Sequence, residues 1–101
     1  MKGAKLSPKQ VMLLVTAATR DEAENLGEAL LSRGLARRGS VIPVIHSFWM
    51  KEEKLERSHE AMLLVTTSSE RAKEAVAYVR ENHSFEEPQI VVLPMGDEPP
   101  A

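Results

Sequence analysis

The chain has 101 residues, 43% of them hydrophobic, and its 13 basic and 15 acidic side chains leave a formal net charge of −2. This length fits one domain, and the lack of a long basic tract argues against a nucleic-acid surface built on phosphate contacts. The absence of cysteine excludes disulfides, thiol nucleophiles and cysteine metal sites, and it fits a cytoplasmic protein. No apolar run reaches the ~20 residues that a membrane-spanning helix needs.

An internal repeat organises the chain. The pentapeptide Met12–Thr16 recurs identically at Met62–Thr66, and each copy is followed by a short polar stretch, a helix-like pattern and a further apolar segment. The sequence therefore predicts two strand–helix–strand units. We expect a flexible N-terminus over residues 1–9, one domain over residues 10–95 and a flexible tail over residues 96–101.

The first unit begins with a short apolar strand over residues 10–16. Thr19 and Glu22 have the spacing of a capping box at the start of a helix. The apolar stripe of this helix consists of Ala23, Leu26, Gly27 and Leu30. With Gly34 as a left-handed stop, these signals predict a helix over about residues 20–33.

A long hairpin is predicted between the two units. Residues 41–50 are apolar at both odd and even positions, so both faces of an extended strand would be apolar. The charged segment 51–54 then turns, and the chain returns over residues 55–67. Strands of this length exceed the usual five or six residues, and two helices cannot cover both faces, so we expect packing on other copies of the chain. The residues expected at that interface are Ile45, Phe48, Trp49 and Met50.

The second unit repeats the plan of the first. Thr67 and Glu70 are expected to form its capping box, Asn82 to end its helix, and residues 89–94 to form the last strand. The order β-α-β-β-α-β predicts an α+β, ferredoxin-like sandwich, in which a four-stranded antiparallel sheet carries both helices on one face. The other face is then open, which again favours an oligomer.

Several segments match the pattern of a known family. Residues 35–43 correspond to a Leu-Ala-Ala-Cys-Val-Asn element followed by Ile-Ile-Pro, residues 47–49 to a Ser-Ile-Tyr motif, and Glu60 to a glutamate of the returning strand. Residues 83–90, His-Ser-Phe-Glu-Glu-Pro-Gln-Ile, match His-Pro-Tyr-Glu-x-Pro-Glu-Ile. On these motifs the chain resembles the CutA family of divalent-cation-tolerance proteins over about residues 11–95. The resemblance implies a homotrimer of ferredoxin-like subunits with a non-enzymatic role in divalent metal tolerance.

The chain also departs from the family pattern. Arg38 stands where the family has a cysteine, Lys51 where it has a hairpin tryptophan, and Thr66 where it has a lysine. The resemblance therefore implies no metal binding through cysteine.

Two groups of side chains are candidates for binding a divalent metal such as Cu²⁺ or Zn²⁺. His46 and His59 lie opposite each other if Lys51 pairs with Lys54, and facing side chains on antiparallel strands are close enough to share one ion. That register needs a two-residue turn of glutamates, whereas such turns favour Gly or Asn. In a longer loop, the two histidines would be ordinary exposed strand residues.

The second group precedes the last strand. His83, together with Glu86 or Glu60, could supply imidazole and carboxylate ligands. In the alternative interpretation, His83 caps the end of the second helix, where a cation is favoured, and the glutamates are solvated. For either group we expect metal affinity weaker than micromolar that falls at low pH, because imidazole ligands must be neutral.

The sequence indicates no enzyme, because it contains neither a nucleophile–base motif nor a glycine-rich phosphate loop. Three functions remain open. The chain could be a CutA-like trimer for metal tolerance, a trimeric small-ligand regulatory module of the PII-like kind, or a structural assembly protein with no ligand. We expect the chain to associate with copies of itself and to bind neither nucleic acid nor a membrane.

Overall fold

The structure is a computed structural model that describes residues 9–96. Its elements are β1 (Gln10–Ala17), α1 (Arg20–Ser32), β2 (Arg38–Lys51), β3 (Lys54–Ser68), α2 (Ser69–Asn82) and β4 (Ile90–Pro94). They form an antiparallel sheet with strand order β2-β3-β1-β4, and this arrangement confirms the α+β, ferredoxin-like prediction. The ends expected to be flexible, residues 1–9 and 96–101, lie outside the described residues except for Lys9 and Gly96. No helix in the described part is long and apolar enough to cross a membrane.

The N-cap and the end of α1 agree with the sequence signals, but the capping box is only half formed, because the Glu22 carboxylate accepts from the N–H of Ala18. The Thr19 side-chain oxygen accepts a hydrogen bond from the backbone N–H of Glu22 at 3.1 Å. Gly34 has a φ of 74° after the end of the helix, a conformation that glycine adopts at little cost. Both ends of α1 are therefore encoded locally.

The start of α2 differs from the prediction by one residue. Its N-cap is Ser68, whose hydroxyl accepts from the backbone N–H of Arg71 at 3.2 Å, so the expected Thr67 cap is wrong. Thr67 is buried, and its hydroxyl donates to the Leu35 carbonyl at 2.7 Å. Because strand residues alternate between faces, Thr67 still points into the core, and the first side chain free to cap the helix is the next one.

The core lies between the two helices and one face of the sheet. Alternate residues of β1 and of β3 from Ala61 onward are buried, including Leu13, Val15, Leu63 and Val65. The helices contribute Ala23, Leu26, Leu30, Ala75 and Val79 to the same cluster. A Cβ at Gly27 would lie 2.9 Å from a methyl group of Leu63, so a glycine at this position lets α1 approach β3 closely.

The two copies of the repeated pentapeptide pair with each other. The β1/β3 register aligns Met12 with Thr66 and Leu14 with Leu64, so two identical segments run antiparallel with the leucine pair at their centre. A local pseudo-twofold axis through this pair relates the two strand–helix–strand units.

The β2–β3 hairpin extends beyond the helices. Its strands have 14 and 15 residues, and the radius of gyration of 15.4 Å exceeds the ~13 Å typical of a compact chain of about this length. At the tip, Lys51 pairs with Lys54, and Glu52 and Glu53 have φ values of 50° and 68°. The turn is therefore the two-residue form with both central residues in the left-handed region.

A β-bulge interrupts the hairpin near its base. Regular pairing stops at Ile42 and resumes at Ile45, with Pro43 and Val44 facing a single residue of β3. Bulges accommodate one extra residue in this way, and they tolerate a proline because no ladder hydrogen bond from its nitrogen is required. The register beyond the bulge is therefore shifted by one residue.

Candidate functional site

The register of the hairpin brings its two histidines together. His46 pairs with His59, and their ring centroids lie 4.4 Å apart with an interplanar angle of 61°. Both residues are exposed. Within residues 9–96, neither imidazole has a hydrogen bond or an ion pair with another residue. In the single chain the pair is therefore accessible to solvent, with its ring nitrogens available.

The bulge determines which residue faces His46. If the pairing at Ile42 continued without interruption, Ser58 would lie opposite His46; the extra residue in β2 puts His59 there instead. Because successive strand residues point to opposite faces, a shift of one residue would place the two imidazoles on different sides of the hairpin.

The environment of His83 is neither the metal site nor the helix cap that the sequence suggests. Its side chain is 0% exposed, its Nε2 lies 2.7 Å from the carbonyl oxygen of Thr16, and its Nδ1 lies 3.0 Å from the backbone N–H of Phe85. A carbonyl can only accept, so Nε2 carries the proton and donates it, while Nδ1 accepts from Phe85. Both nitrogens of the imidazole are therefore engaged by backbone partners.

Glu22 is the carboxylate that lies beside this imidazole, with Oε2 3.6 Å from the Nδ1 atom of His83. It accepts hydrogen bonds from the backbone N–H of Ala18 at 2.9 Å, the backbone N–H of Ser84 at 2.7 Å and the Ser84 hydroxyl at 2.9 Å. Burial alone raises the pKa of Glu22, but these hydrogen bonds outweigh it and bring the pKa below the ordinary 4.5. Glu22 thus fastens the loop after α2 to the start of α1.

The structure does not bring His83 together with Glu60 or Glu86. Its ring nitrogens are occupied by backbone partners, and its neighbouring carboxylate is Glu22. In the part of the chain that the structure describes, no group of three or more His, Cys, Asp or Glu side chains could hold a metal ion. The helix-capping alternative is only partly met, because His83 is the C-cap residue of α2 but its ring bonds to the end of β1.

Sequence reasoning missed the role of Glu22. The residue had already been explained as the third position of a capping box, and its main partner, Ser84, lies 62 positions further along the chain. One signal was available, because a buried histidine commonly has a carboxylate near it. Nothing in the residue order indicates which carboxylate that is.

The predicted interface residues are mostly exposed in the single chain. Phe48 is 65% exposed, Trp49 43% and Met50 63%, whereas Ile45 is half-buried. The open face of the sheet adds further exposed apolar side chains, which are Ile42, Val91 and Leu93. A groove of about 810 Å³ runs between the hairpin base and the loop before β4, and Trp49, Glu60 and Phe85 are among its lining residues.

The fold and its projecting hairpin define a class of protein: small ferredoxin-like domains with an extended central hairpin and an open sheet face. The family of CutA1 divalent ion tolerance proteins has a sequence model that matches residues 11–101. The chain belongs to this family.

Individual relatives agree with this assignment. The divalent-cation tolerance protein CutA of Yersinia pestis (strain Pestoides F) is 29% identical over 87 residues, which cover 86% of this chain and 73% of the relative. The periplasmic divalent cation tolerance protein CutA of Archaeoglobus fulgidus superposes with a TM-score of 0.83 at 30% identity, over 88% of this chain and 86% of its own. CutA1 of Ehrlichia chaffeensis, with a TM-score of 0.86 at 17% identity over 94% and 88% of the two chains, supports the fold alone.

Proposed function

We propose that this protein is a non-enzymatic, cytoplasmic homotrimer that acts in divalent-cation tolerance. The role is the one that relatives such as CutA of Yersinia pestis carry in their names. The observation that supports the assembly is the projecting hairpin, whose large apolar side chains are exposed on both of its faces.

The two faces of the hairpin argue for a ring of subunits. Phe48, Met50 and Leu55 share one face and are 65%, 63% and 52% exposed, while Trp49 lies on the opposite face. A twofold dimer joins one patch to its own copy, whereas a ring gives each subunit two different neighbours. The smallest ring that covers both faces of every hairpin has three subunits.

The assembly is tested by native mass. Light scattering and native mass spectrometry at micromolar concentration should give about 34 kDa, three times the chain mass of 11.2 kDa. A monodisperse monomer would contradict the proposed assembly, and a stable dimer would contradict the ring argument.

The cellular role is tested separately by growth. A bacterial strain that lacks its own family member should grow better under graded copper or zinc when it expresses this chain. Unchanged growth at matched expression would contradict the proposed role. Fractionation of the same cells tests the cytoplasmic location against the periplasmic one named for the Archaeoglobus relative.

A further inference from the structure

We propose that His46 and His59 form a two-point chelate for a divalent transition metal ion, with Cu²⁺ bound more tightly than Zn²⁺. Imidazole nitrogen suits both ions, and the general affinity order of divalent first-row metals places Cu²⁺ highest. The biological meaning of the chelate rests on the proposed function in divalent-cation tolerance. Metal binding itself depends only on the hairpin and can be tested separately.

The geometry of the pair fits one ion. Metal–nitrogen bonds of about 2.0–2.1 Å hold two neighbouring ligand nitrogens roughly 2.9 Å apart in the tetragonal geometry of Cu²⁺ and roughly 3.3 Å apart in the tetrahedral geometry of Zn²⁺. Rings whose centroids are 4.4 Å apart are close enough for rotation about their side-chain bonds to bring one nitrogen of each toward such a spacing. Within the single chain no other described residue bonds to either imidazole, so binding an ion replaces only the contact between the two rings. The remaining coordination positions lie on the face that also carries Phe48 and Met50, and they are open to water or to a neighbouring subunit.

The backbone on both sides of the pair is fixed. The two-residue turn at Glu52 and Glu53 sets the register from the tip, and the bulge at Pro43 and Val44 sets it from the base. Paired strands between these two points hold both Cα atoms in place. Binding therefore costs mainly the side-chain freedom of two histidines, without the ordering of a flexible loop.

The charge around the pair limits the affinity. Arg57 lies on the same face as the imidazoles, and its guanidinium carbon is 5.9 Å from the centroid of the Phe48 ring. This cation disfavours a second positive charge nearby. Glu60 follows His59 in the chain and so points to the opposite face. Because the two ligands are neutral and an arginine lies nearby, we expect a dissociation constant above about 1 µM.

The experiment is a titration of the full chain in its native assembly with Cu²⁺ and with Zn²⁺ at pH 7.5, followed by calorimetry and, for Cu²⁺, by electron paramagnetic resonance. The wild type should bind one ion per chain through nitrogen ligands. His46→Ala and His59→Ala should each weaken binding about tenfold or more. Lowering the pH to 5.5 should weaken wild-type binding because the imidazoles must be neutral.

A matched control keeps the number of histidines constant. The double variant Ser58→His with His59→Ser moves one imidazole by a single residue to the other face of β3. It should lose affinity as His59→Ala does. Its circular dichroism should match the wild type, because His59 is exposed and Ser58 is only partly buried in the single chain. Its native mass is measured alongside, because Ser58 shares the face of Trp49.

The outcomes separate this proposal from the proposed function. A wild type that binds neither ion, or a double variant that binds as well as the wild type, would overturn the chelate. A trimer that supports tolerance but binds no ion rejects the chelate alone. Binding that depends on both histidines in a monomeric protein supports the chelate and rejects the assembly.

Discussion

At the scale of single residues, Glu22 and His83 connect two parts of the chain that are distant in sequence. The Glu22 carboxylate accepts hydrogen bonds from Ala18, which directly follows β1, and from Ser84 in the loop after α2. The His83 ring joins the start of the same loop to the carbonyl of Thr16. Both side chains replace backbone pairing where the sheet ends, so each should contribute to stability.

Glu22→Gln should lower the free energy of unfolding at pH 7 by about 1–3 kcal/mol. The carboxylate has two acceptor oxygens for its hydrogen-bond donors, whereas the amide has only one. The folded-state pKa of Glu22 lies below 4.5. Its stabilisation is therefore present above pH 4.5 and is lost as the pH falls through the folded-state value. Urea unfolding from pH 7 to pH 3 should show the difference between variant and wild type shrinking below about pH 4.5. A difference that stays constant would contradict this explanation.

His83→Ala should cost about 2–3 kcal/mol, since it removes a buried ring and leaves the Thr16 carbonyl and the Phe85 N–H without their partner. His46→Ala is the matched control, because it removes an exposed imidazole and should change stability by less than about 0.5 kcal/mol. Chemical denaturation of both variants decides the matter, and equal effects would show that the His83 contacts are unimportant.

The two sets of metal candidates show what can be predicted from sequence about a site. The His46–His59 pair depends on strand register, which the turn at Glu52 and Glu53 and the bulge at Pro43 and Val44 set together. The partners of His83 depend on how the loop after α2 folds back, and no local pattern encodes that path. The sequence therefore could not show whether His83 is buried or lies exposed at the end of the helix.

At the scale of elements, the turn of the hairpin adopts a conformation that its residues disfavour. A left-handed backbone costs a non-glycine residue roughly 1–2 kcal/mol, and both Glu52 and Glu53 adopt it. The long ladder between β2 and β3 offsets this cost. The residues of the turn alone disfavour a two-residue turn, so the sequence leaves the register of the hairpin open. The pairing of β2 with β3 determines it.

Replacing the turn with Glu52→Asn and Glu53→Gly should therefore raise the free energy of unfolding by about 0.5–1 kcal/mol, because these residues accept positive φ values with little strain. Glu53→Ala is the control, since it removes the charge but keeps the Cβ atom that causes the strain. Thermal unfolding of the three proteins tests this expectation. A gain in the alanine variant equal to that of the double variant would attribute the effect to charge.

At the scale of the whole molecule, the exposed hairpin is the feature on which the proposed assembly rests. Element order and the helix side of the core could be predicted from periodicity, since alternating strands and amphipathic helices leave one arrangement for a chain of this kind. The bulge at Pro43 and Val44 could not, because its signal is one proline in an otherwise regular strand. The bulge shifts the register by one residue and so changes which side chains of the hairpin face each other.

Trp49→Ala should weaken the proposed trimer by ~3 kcal/mol or more per site, through loss of a large ring at the interface. Glu56→Ala is a suitable control, because Glu56 pairs with Trp49 on the same face but offers little apolar area. Dissociation on dilution, followed by sedimentation velocity, provides the measurement. If both variants dissociate at the same concentration as the wild type, Trp49 does not hold the subunits together.

The pairing of the repeated pentapeptide has a consequence for how newly made chains find their fold. Met12–Thr16 docks on Met62–Thr66, which has the same five residues, so the first strand of one molecule is also a suitable edge for the first strand of another. Correct closure within a chain then competes kinetically with strand exchange between chains. Refolding from urea should give a yield of native protein that declines with concentration, and Leu14→Thr, which makes the two copies unlike, should reduce that decline.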